Sequence, residues 1–393
     1  MNVPAAIAMY SAVGMGMLTL TGVVFSLVFV MVQFSSAAYS PRLVTFVARD
    51  PLLFHAIGIF TATFLYAIAA LAWVDRNGSG KVPILSAYVV VGLLLASVAV
   101  FVGLVQRLAR LHISNILRFT GDFGRVTIDR LYPPLPVSVT AAGTEDFRRC
   151  PAAQTLLYTG PPRAIQSLDI ASLAALAEQS DGIIEVMSAV GDTIVDSTLL
   201  LRVYGARVTL SERALMRTIK TGTERTFEQD PKYAIRLLVD IAIRALSPAV
   251  NDPSTAVQAL DHIEDLLVRL GRRQLEIGEI RDSAGRLRLV IPIPGWEDFL
   301  HLALDEIRCY GAGSMQVMRR MKALLSDLLD AVPEDRRQAV RSQQRRLDAT
   351  VARSFADAED HQEASVEDRE GLGVPRKRSA APQSAGSKDA VLR

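Results

Sequence analysis

The chain has 393 residues, half of them hydrophobic, with a formal net charge of +2 and a mean hydropathy of +0.25. Up to Gln106 its charged residues are Arg42, Arg49, Asp50, Asp75, Arg76 and Lys81; all the rest lie beyond. This division excludes an ordinary soluble domain at the start, and the charge-balanced remainder argues against the basic surface that nucleic-acid binding requires.

Three apolar blocks open the chain: about Val3–Phe34, Leu52–Val74 and Val82–Gln106. Each is free of Lys, Arg, Asp and Glu over the roughly 20 residues that span a bilayer core. A buried core helix would be shorter and polar on one face. A cleaved signal peptide competes for the first block, but there is no basic leader and the apolar run exceeds the ~7–15 residues of such a segment. Three spanning helices are therefore predicted. Arg42 and Arg49 in the first loop balance Arg76 and Lys81 in the second. Arg107, Arg110 and Arg118 follow the third helix and place that end in the cytoplasm. Two distant cysteines, Cys150 and Cys309, fit a reducing compartment.

The first block also carries a polar and small set, Ser11, Gly14, Gly16, Thr19, Thr21, Gly22, Ser26 and Gln33. Two readings stand side by side: close helix packing, or the lining of a conduit. Three helices cannot enclose a water-filled path alone, so the second reading requires a ring of subunits. The lack of Asp, Glu, Lys or Arg at mid-membrane argues against proton-coupled transport. His55, at the start of the second block, reads as an interfacial anchor.

Residues 107–136 read as a linker: Arg107 to Phe123 continues the third helix as an amphipathic juxtamembrane segment, and Tyr132-Pro133-Pro134-Leu135-Pro136 breaks it. Residues 137–156 look like an exposed loop. A small β-rich module over 137–210 follows, with strands at Ala164–Ser167, Ile183–Met187, Thr193–Val195 and Thr198–Val203, a turn at Gly191-Asp192 and a helix at Ala171–Gln179. The layout resembles half of a barrel-sandwich fold of the biotinyl or lipoyl kind. Between Lys81 and Lys220 there is no lysine, which excludes a covalently carried cofactor there, and no cofactor is expected.

A mainly helical region spans 211–355. Asp230-Pro231 and Asp252-Pro253 each place Asp at an N-cap and Pro at the first helical position. The two helices form a hairpin turning at Ala249-Val250-Asn251. Leu237, Ile241 and Ala245 form an apolar stripe, while Arg236, Asp240 and Arg244 share a polar face. The corner of Arg244, Ser247, Pro248, Asn251, Asp252, Pro253 and Thr255 is either a ligand site at a helix N-terminus or a packed structural corner. The negative charge of Asp252 opposes anion binding and favours the structural reading.

The runs RALSPAVNDPSTAV and ERTFEQDP, with VQFSSAAYSPRLVTFVARD far upstream, resemble the bacterial membrane proteins of Domain of Unknown Function family 2254 over roughly Thr19 to Phe355. The resemblance implies a multi-pass protein of the bacterial inner membrane with a soluble C-terminal part, and no biochemical activity. It also implies a further spanning helix ahead of Val3, whereas Met1 here opens almost directly on the apolar block.

Beyond the hairpin, a turn at Arg281–Arg286 leads to a strand at Leu287–Pro292 and a helix at Trp296–Tyr310, with Phe299, Leu302, Ile307 and Tyr310 on one side. Helices at Arg319–Leu329 and Arg336–Phe355 follow, and residues 356–393 read as a disordered tail. Phosphate-loop, zinc-protease and nucleophile-elbow motifs are missing and the five histidines have no ligand spacing, so neither an enzyme nor a metal site is expected. The expected fold is an α-helical integral membrane domain of three spanning helices, followed by an α+β cytosolic domain with a barrel-sandwich-like β module and helical hairpins. Its partner is the lipid bilayer, with homo-oligomers expected and an ion or small solute as cargo. Two functions follow: an oligomeric channel-like protein with a cytosolic assembly and gating domain, or a membrane-anchored scaffold or sensor that binds a partner or small ligand.

Overall fold

In the computed structural model, which describes residues 2–38, 51–74, 82–109, 113–135, 147–149 and 151–373, three helices are long and apolar enough to cross a membrane. They are α1 (Val3–Ala38), α2 (Pro51–Leu71) and α3 (Ile84–Ala109). Ala6 and Tyr10 of α1 cluster with Ala70 and Val90, and Val24 clusters with Ala56, Phe60 and Leu104. The early part of α1 thus meets the end of α2 and the start of α3, so the three run antiparallel in sequence. Large apolar side chains such as Phe25, Phe29, Leu65, Leu85 and Leu95 point outward. So much exposed apolar surface is costly in water and matches a lipid-facing one. The loops carrying Arg42, Arg49, Arg76 and Lys81 lie outside the described residues.

The chain divides into two units, residues 1–123 with 247–251, and 124–246 with 252–393. The amphipathic segment is helical as α4 (Ile113–Leu131), which runs beyond the expected Phe123 and stops before the proline cluster; residues 110–112, which would join it to α3, lie outside the described residues. Its second half belongs to the second unit. There Gly124 lets the backbone approach closely, since a Cβ would stand 2.8 Å from a Leu266 methyl, and Thr127 Oγ1 donates to the Phe227 carbonyl at 2.9 Å.

The second unit contains two small sheets. Strands β1 (Gln154–Leu157), β2 (Arg163–Leu168), β3 (Ile183–Val186), β4 (Thr193–Ile194) and β5 (Leu199–Tyr204) come first, with helix α5 (Ile170–Gln179) between β2 and β3 in the chain. The Asp169 side chain caps α5 by accepting from the Ser172 backbone N–H at 3.0 Å. Strand β1 takes up the last three residues of the loop expected over 137–156, of which residues 137–146 and 150 lie outside the described residues. It is a four-residue edge whose register comes from pairing with β5, and its own pattern is too short to signal a strand. Helix α6 (Glu212–Arg217) and strand β6 (Ile219–Gly222) come next, and β6 pairs with β2.

Helices α7 (Pro231–Ala245) and α8 (Pro253–Gly271) form the expected hairpin, with Leu237, Ile241 and Ala245 all buried. Arg236 pairs with Asp240 at 2.6 Å and also reaches Glu306 at 2.5 Å on α9 (Trp296–Tyr310), so the polar face ties two helices together. Between α8 and α9 run β7 (Glu279–Arg281) and β8 (Leu287–Val290). Strand β8 pairs parallel with β3, giving the order β1-β5-β3-β8-β7 beside the order β4-β2-β6. The β module therefore does not end at 210; residues 279–290 complete its larger sheet, and Leu289 and Ile291 join its core. Arg288 locks the parallel pair, donating to Asp282 at 2.9 Å, Asp181 at 3.0 Å and the Gly182 carbonyl at 3.2 Å.

Helices α10 (Met315–Ala331) and α11 (Glu334–Ser354) finish the helical layer. Arg320 of α10 is buried between Asp261 at 2.8 Å and Glu264 at 2.5 Å of α8. Of the side expected on α9, Phe299 and Ile307 are buried but Tyr310 is exposed. Residues 356–373, expected in the disordered tail, are ordered instead. A short helix α12 (Ala358–Ala364) is followed by a turn in which buried Asp368 accepts from the backbone N–H groups of Glu370, Gly371 and Gly373 at 2.7–3.1 Å. A single carboxylate organises three backbone donors there, and composition alone does not reveal this.

Candidate functional site

The two Asp-Pro starts look alike in sequence and differ in structure. Asp252 is a finished cap: its Oδ1 accepts from the Thr255 N–H at 3.1 Å, its Oδ2 from the Thr255 hydroxyl at 2.6 Å, and its own N–H donates to the Ala245 carbonyl at 2.7 Å. Asn251 holds φ at +47°, a left-handed conformation that Asn tolerates, and its N–H donates to the Ser247 carbonyl at 2.9 Å. Pro253 opens α8, Arg244 is half-buried near the end of α7, and Pro248 is exposed. Both carboxylate oxygens of Asp252 are committed to the cap.

Asp230 makes no capping hydrogen bond, although Pro231 starts α7 directly behind it. The residue is 1% exposed. Its Oδ2 accepts from Arg225 Nε at 3.0 Å and Nη2 at 2.9 Å, while its Oδ1 has no protein partner. Burial pushes the Asp230 carboxyl above the usual carboxylate range, against the pull of Arg225 and Lys232. The Arg225 guanidinium also lies over the Tyr233 ring, 5.8 Å from its centre. The β module closes on this pair through Gly191. Its φ of +91° suits glycine, and a Cβ at that position would collide with the Arg225 guanidinium and the Asp230 carboxylate.

Asp230 lines a cavity of about 150 Å³. The walls are largely aliphatic, including Ile277, Ile280, Ile291 and Ile293, with Tyr132 and Ala189. The Tyr132 phenol is pushed upward by burial and by the nearby Asp230 carboxylate. Gln229, also on the wall, is used twice on the β2 backbone: its Oε1 accepts from the Leu168 N–H at 2.9 Å and its Nε2 donates to the Leu168 carbonyl at 3.1 Å. Lys232 is half-buried at the same cavity. Mostly apolar walls with a few polar groups are a general feature of small-molecule sites. Sequence reasoning passed over this site for its twin. The available signal was the third residue after each Asp: Thr255 can clamp Asp252, whereas Tyr233 has no hydroxyl close enough on its stem to clamp Asp230.

The small and polar residues of α1 separate. Gly14 is buried, and a Cβ there would stand 3.6 Å from Ile68 of α2, an ordinary packing contact. Ser11 is half-buried. The hydroxyls of Thr19 and Thr21 donate to the carbonyls of Met15 at 3.0 Å and Met17 at 2.7 Å. Thr19, Gly22 and Ser26 are exposed, and the Gln33 side chain lies outside the described residues. A fully buried polar link not expected from sequence joins α2 to α3, where the hydroxyls of Thr63 and Ser97 are 2.9 Å apart.

Three apolar antiparallel helices and a large mixed domain define a membrane protein with a substantial extramembrane part. The chain belongs to the family described as "Predicted membrane protein (DUF2254)", whose profile matches residues 2–327. Uncharacterized proteins of Mycobacterium bovis and Mycobacterium tuberculosis are each 31% identical over 355 residues, covering 88% of this chain and 68% of the relative. No solved structure matches.

Proposed function

We propose that the protein is a membrane-anchored sensor whose extramembrane domain binds a small ligand in the Asp230 cavity. The observation that carries this reading is a largely aliphatic pocket lined in part by a buried carboxylate that has one oxygen unpartnered. The β module, which we read as barrel-sandwich-like, has no lysine at its hairpin to carry a covalently attached cofactor. Arg107, Arg110 and Arg118 after the third apolar segment support a cytoplasmic location for this domain at the bacterial inner membrane. Native mass spectrometry of the full chain, purified from its own membranes in mild detergent, tests the proposal. The expected result is a bound small molecule that is lost in the cavity-filling variant Ala189→Leu; identical masses with and without the filled cavity would refute it.

A second reading, an oligomeric channel, draws support from the exposed Thr19, Gly22 and Ser26 on α1. In a ring of copies these residues line the conduit. Ion flux in proteoliposomes that changes with Thr21→Val or Ser26→Leu is its expected signature, and silent bilayers across voltage and tension would count against it.

A further inference from the structure

We infer that the C-terminal end of α8 carries a binding site for a phosphoryl group, built from three arginines and sharing no lining residue with the Asp230 cavity. Arg269, Arg272 and Arg273 line a cavity of about 300 Å³ together with Asp265 and Val268. Hydrogen bonds fix where two of the guanidinium groups stand. Asp129 of α4 accepts from Arg269 Nη1 at 3.0 Å with one oxygen and from Arg273 Nη2 at 2.5 Å with the other, so both cations share one carboxylate. Asp265 is already held by Arg125 at 2.7 Å and lies 3.8 Å from Arg269 Nε. Arg272 pairs with no carboxylate among the described residues, and its Nε donates to the Ala331 carbonyl at 3.2 Å. Three guanidinium groups thus share a single carboxylate of their own, which leaves two positive charges over. Among the described residues, Arg269 Nη2, Arg273 Nε and both terminal nitrogens of Arg272 donate to no protein group. Arg269 and Arg273 are half-buried and Arg272 is exposed, so the cluster is within reach of solvent.

A helix C-terminus attracts cations by itself. Here, however, the Leu270 carbonyl is taken by Arg336 Nη1 at 2.8 Å, while the side chains of the three arginines bond to Asp129, Ala331 and Tyr132 and to no α8 carbonyl. Capping therefore does not account for the surplus. A phosphate monoester carries about −1.5 to −2 charges at neutral pH and matches it, whereas a carboxylate supplies one charge. Planar guanidinium forks also suit phosphate oxygens, which they hold bidentately. The cavity corresponds to about ten waters at ~30 Å³ each, room for a phosphoryl group with a small body attached. A soluble phosphomonoester and the head group of an anionic phospholipid present that same group.

Two arms test the site and separate the sources. In one, glycerol 3-phosphate and glycerate are titrated into the full chain in phosphatidylcholine nanodiscs at neutral pH and followed by ligand-observed NMR. In the other, the full chain in mild detergent is mixed with phosphatidic acid, and retained lipid is read by native mass spectrometry. The expected result, in at least one arm, is a phosphoryl probe bound at least tenfold more tightly by wild type than by Arg272→Gln, which removes one surplus charge and a single protein bond. A response to glycerol 3-phosphate alone assigns a soluble ligand, and a response to phosphatidic acid alone assigns a lipid head group. Asp129→Asn removes the competing carboxylate and is expected to tighten the responding probe at least threefold, a gain that misfolding does not imitate. If Arg272→Gln equals wild type in both arms, the site is overturned. If glycerate binds as tightly as glycerol 3-phosphate, the ligand class is overturned.

Discussion

Replacing Gly191 by Ala strikes the site from the side of the β module and leaves both the ion pair and the cavity wall chemically unaltered. Gly191 holds φ at +91°, and its missing side chain is what lets the Arg225–Asp230 pair sit against the hairpin. An L-residue forced into that conformation costs about 1–3 kcal/mol. The new methyl also displaces the guanidinium from a carboxylate that is 1% exposed. Breaking a buried pair by removing one partner costs about 3–5 kcal/mol. With 34% of the Arg225 side chain exposed, that figure is discounted to about 1–3 kcal/mol. The sum is at least about 2 kcal/mol, or a melting temperature lower by at least about 4 °C for a domain of this size. Thermal unfolding of the full chain in detergent, followed by near-ultraviolet circular dichroism, measures it. The pH dependence separates the two contributions. Burial already raises the Asp230 carboxyl, and displacing Arg225 raises it further. The pairing penalty is therefore complete above the variant's carboxyl pKa and vanishes below that of wild type, so the gap between the two proteins narrows on acidification. A gap of constant size from neutral to acidic pH would leave backbone strain alone and refute the pairing argument.

Three further outcomes are expected. Asp252→Ala costs about 1 kcal/mol, the ordinary value of a lost cap, and leaves ligand occupancy at the Asp230 cavity unchanged by native mass spectrometry. Thr63→Val removes the link to Ser97 between α2 and α3 and weakens their association by about 0.6 kcal/mol and at most about 1.7 kcal/mol, as read by steric trapping in bicelles. For Asp282, burial pushes the carboxyl up, but the Arg286 N–H and the Arg288 guanidinium outweigh it and hold the pKa at about 2. Its contribution to stability is thus complete above the ordinary value of 3.8 and is lost as pH falls through about 2. Asp282→Asn flattens that stretch of the acid-unfolding curve, and a variant curve parallel to wild type would contradict the assignment.

The membrane helices were legible because their signal is local and long: every residue from Val3 to Phe34 obeys the same constraint. Strands β3 and β5 and the α7–α8 hairpin were legible for related reasons, through β-branched runs in one case and Asp-Pro starts in the other. What escaped depends on a distant partner. Strand β1 exists through β5, β7 through β8, and the ordered turn after α12 through one buried carboxylate that gathers three N–H groups. Arg288 reads as an exposed strand residue until β3 brings Asp181 and Gly182 beside it.

The divergence of Asp230 from Asp252 follows from the same distinction. Both begin helices with Pro in the first turn, and helix-capping rules treat them alike. A cap is complete when the third residue supplies its N–H and, at Thr255, a hydroxyl as well, which ties up both oxygens of Asp252. At Asp230 the carboxylate turns away to Arg225, five residues earlier, and the backbone forfeits the cap. Substituting a good cap by Ala costs about 1 kcal/mol, so forgoing one lowers stability by a similar amount. Arg225 returns part of that through Oδ2, yet Oδ1 stays buried without a protein partner. The orientation of this carboxylate is therefore set by its ion pair with Arg225 rather than by the helix that it starts.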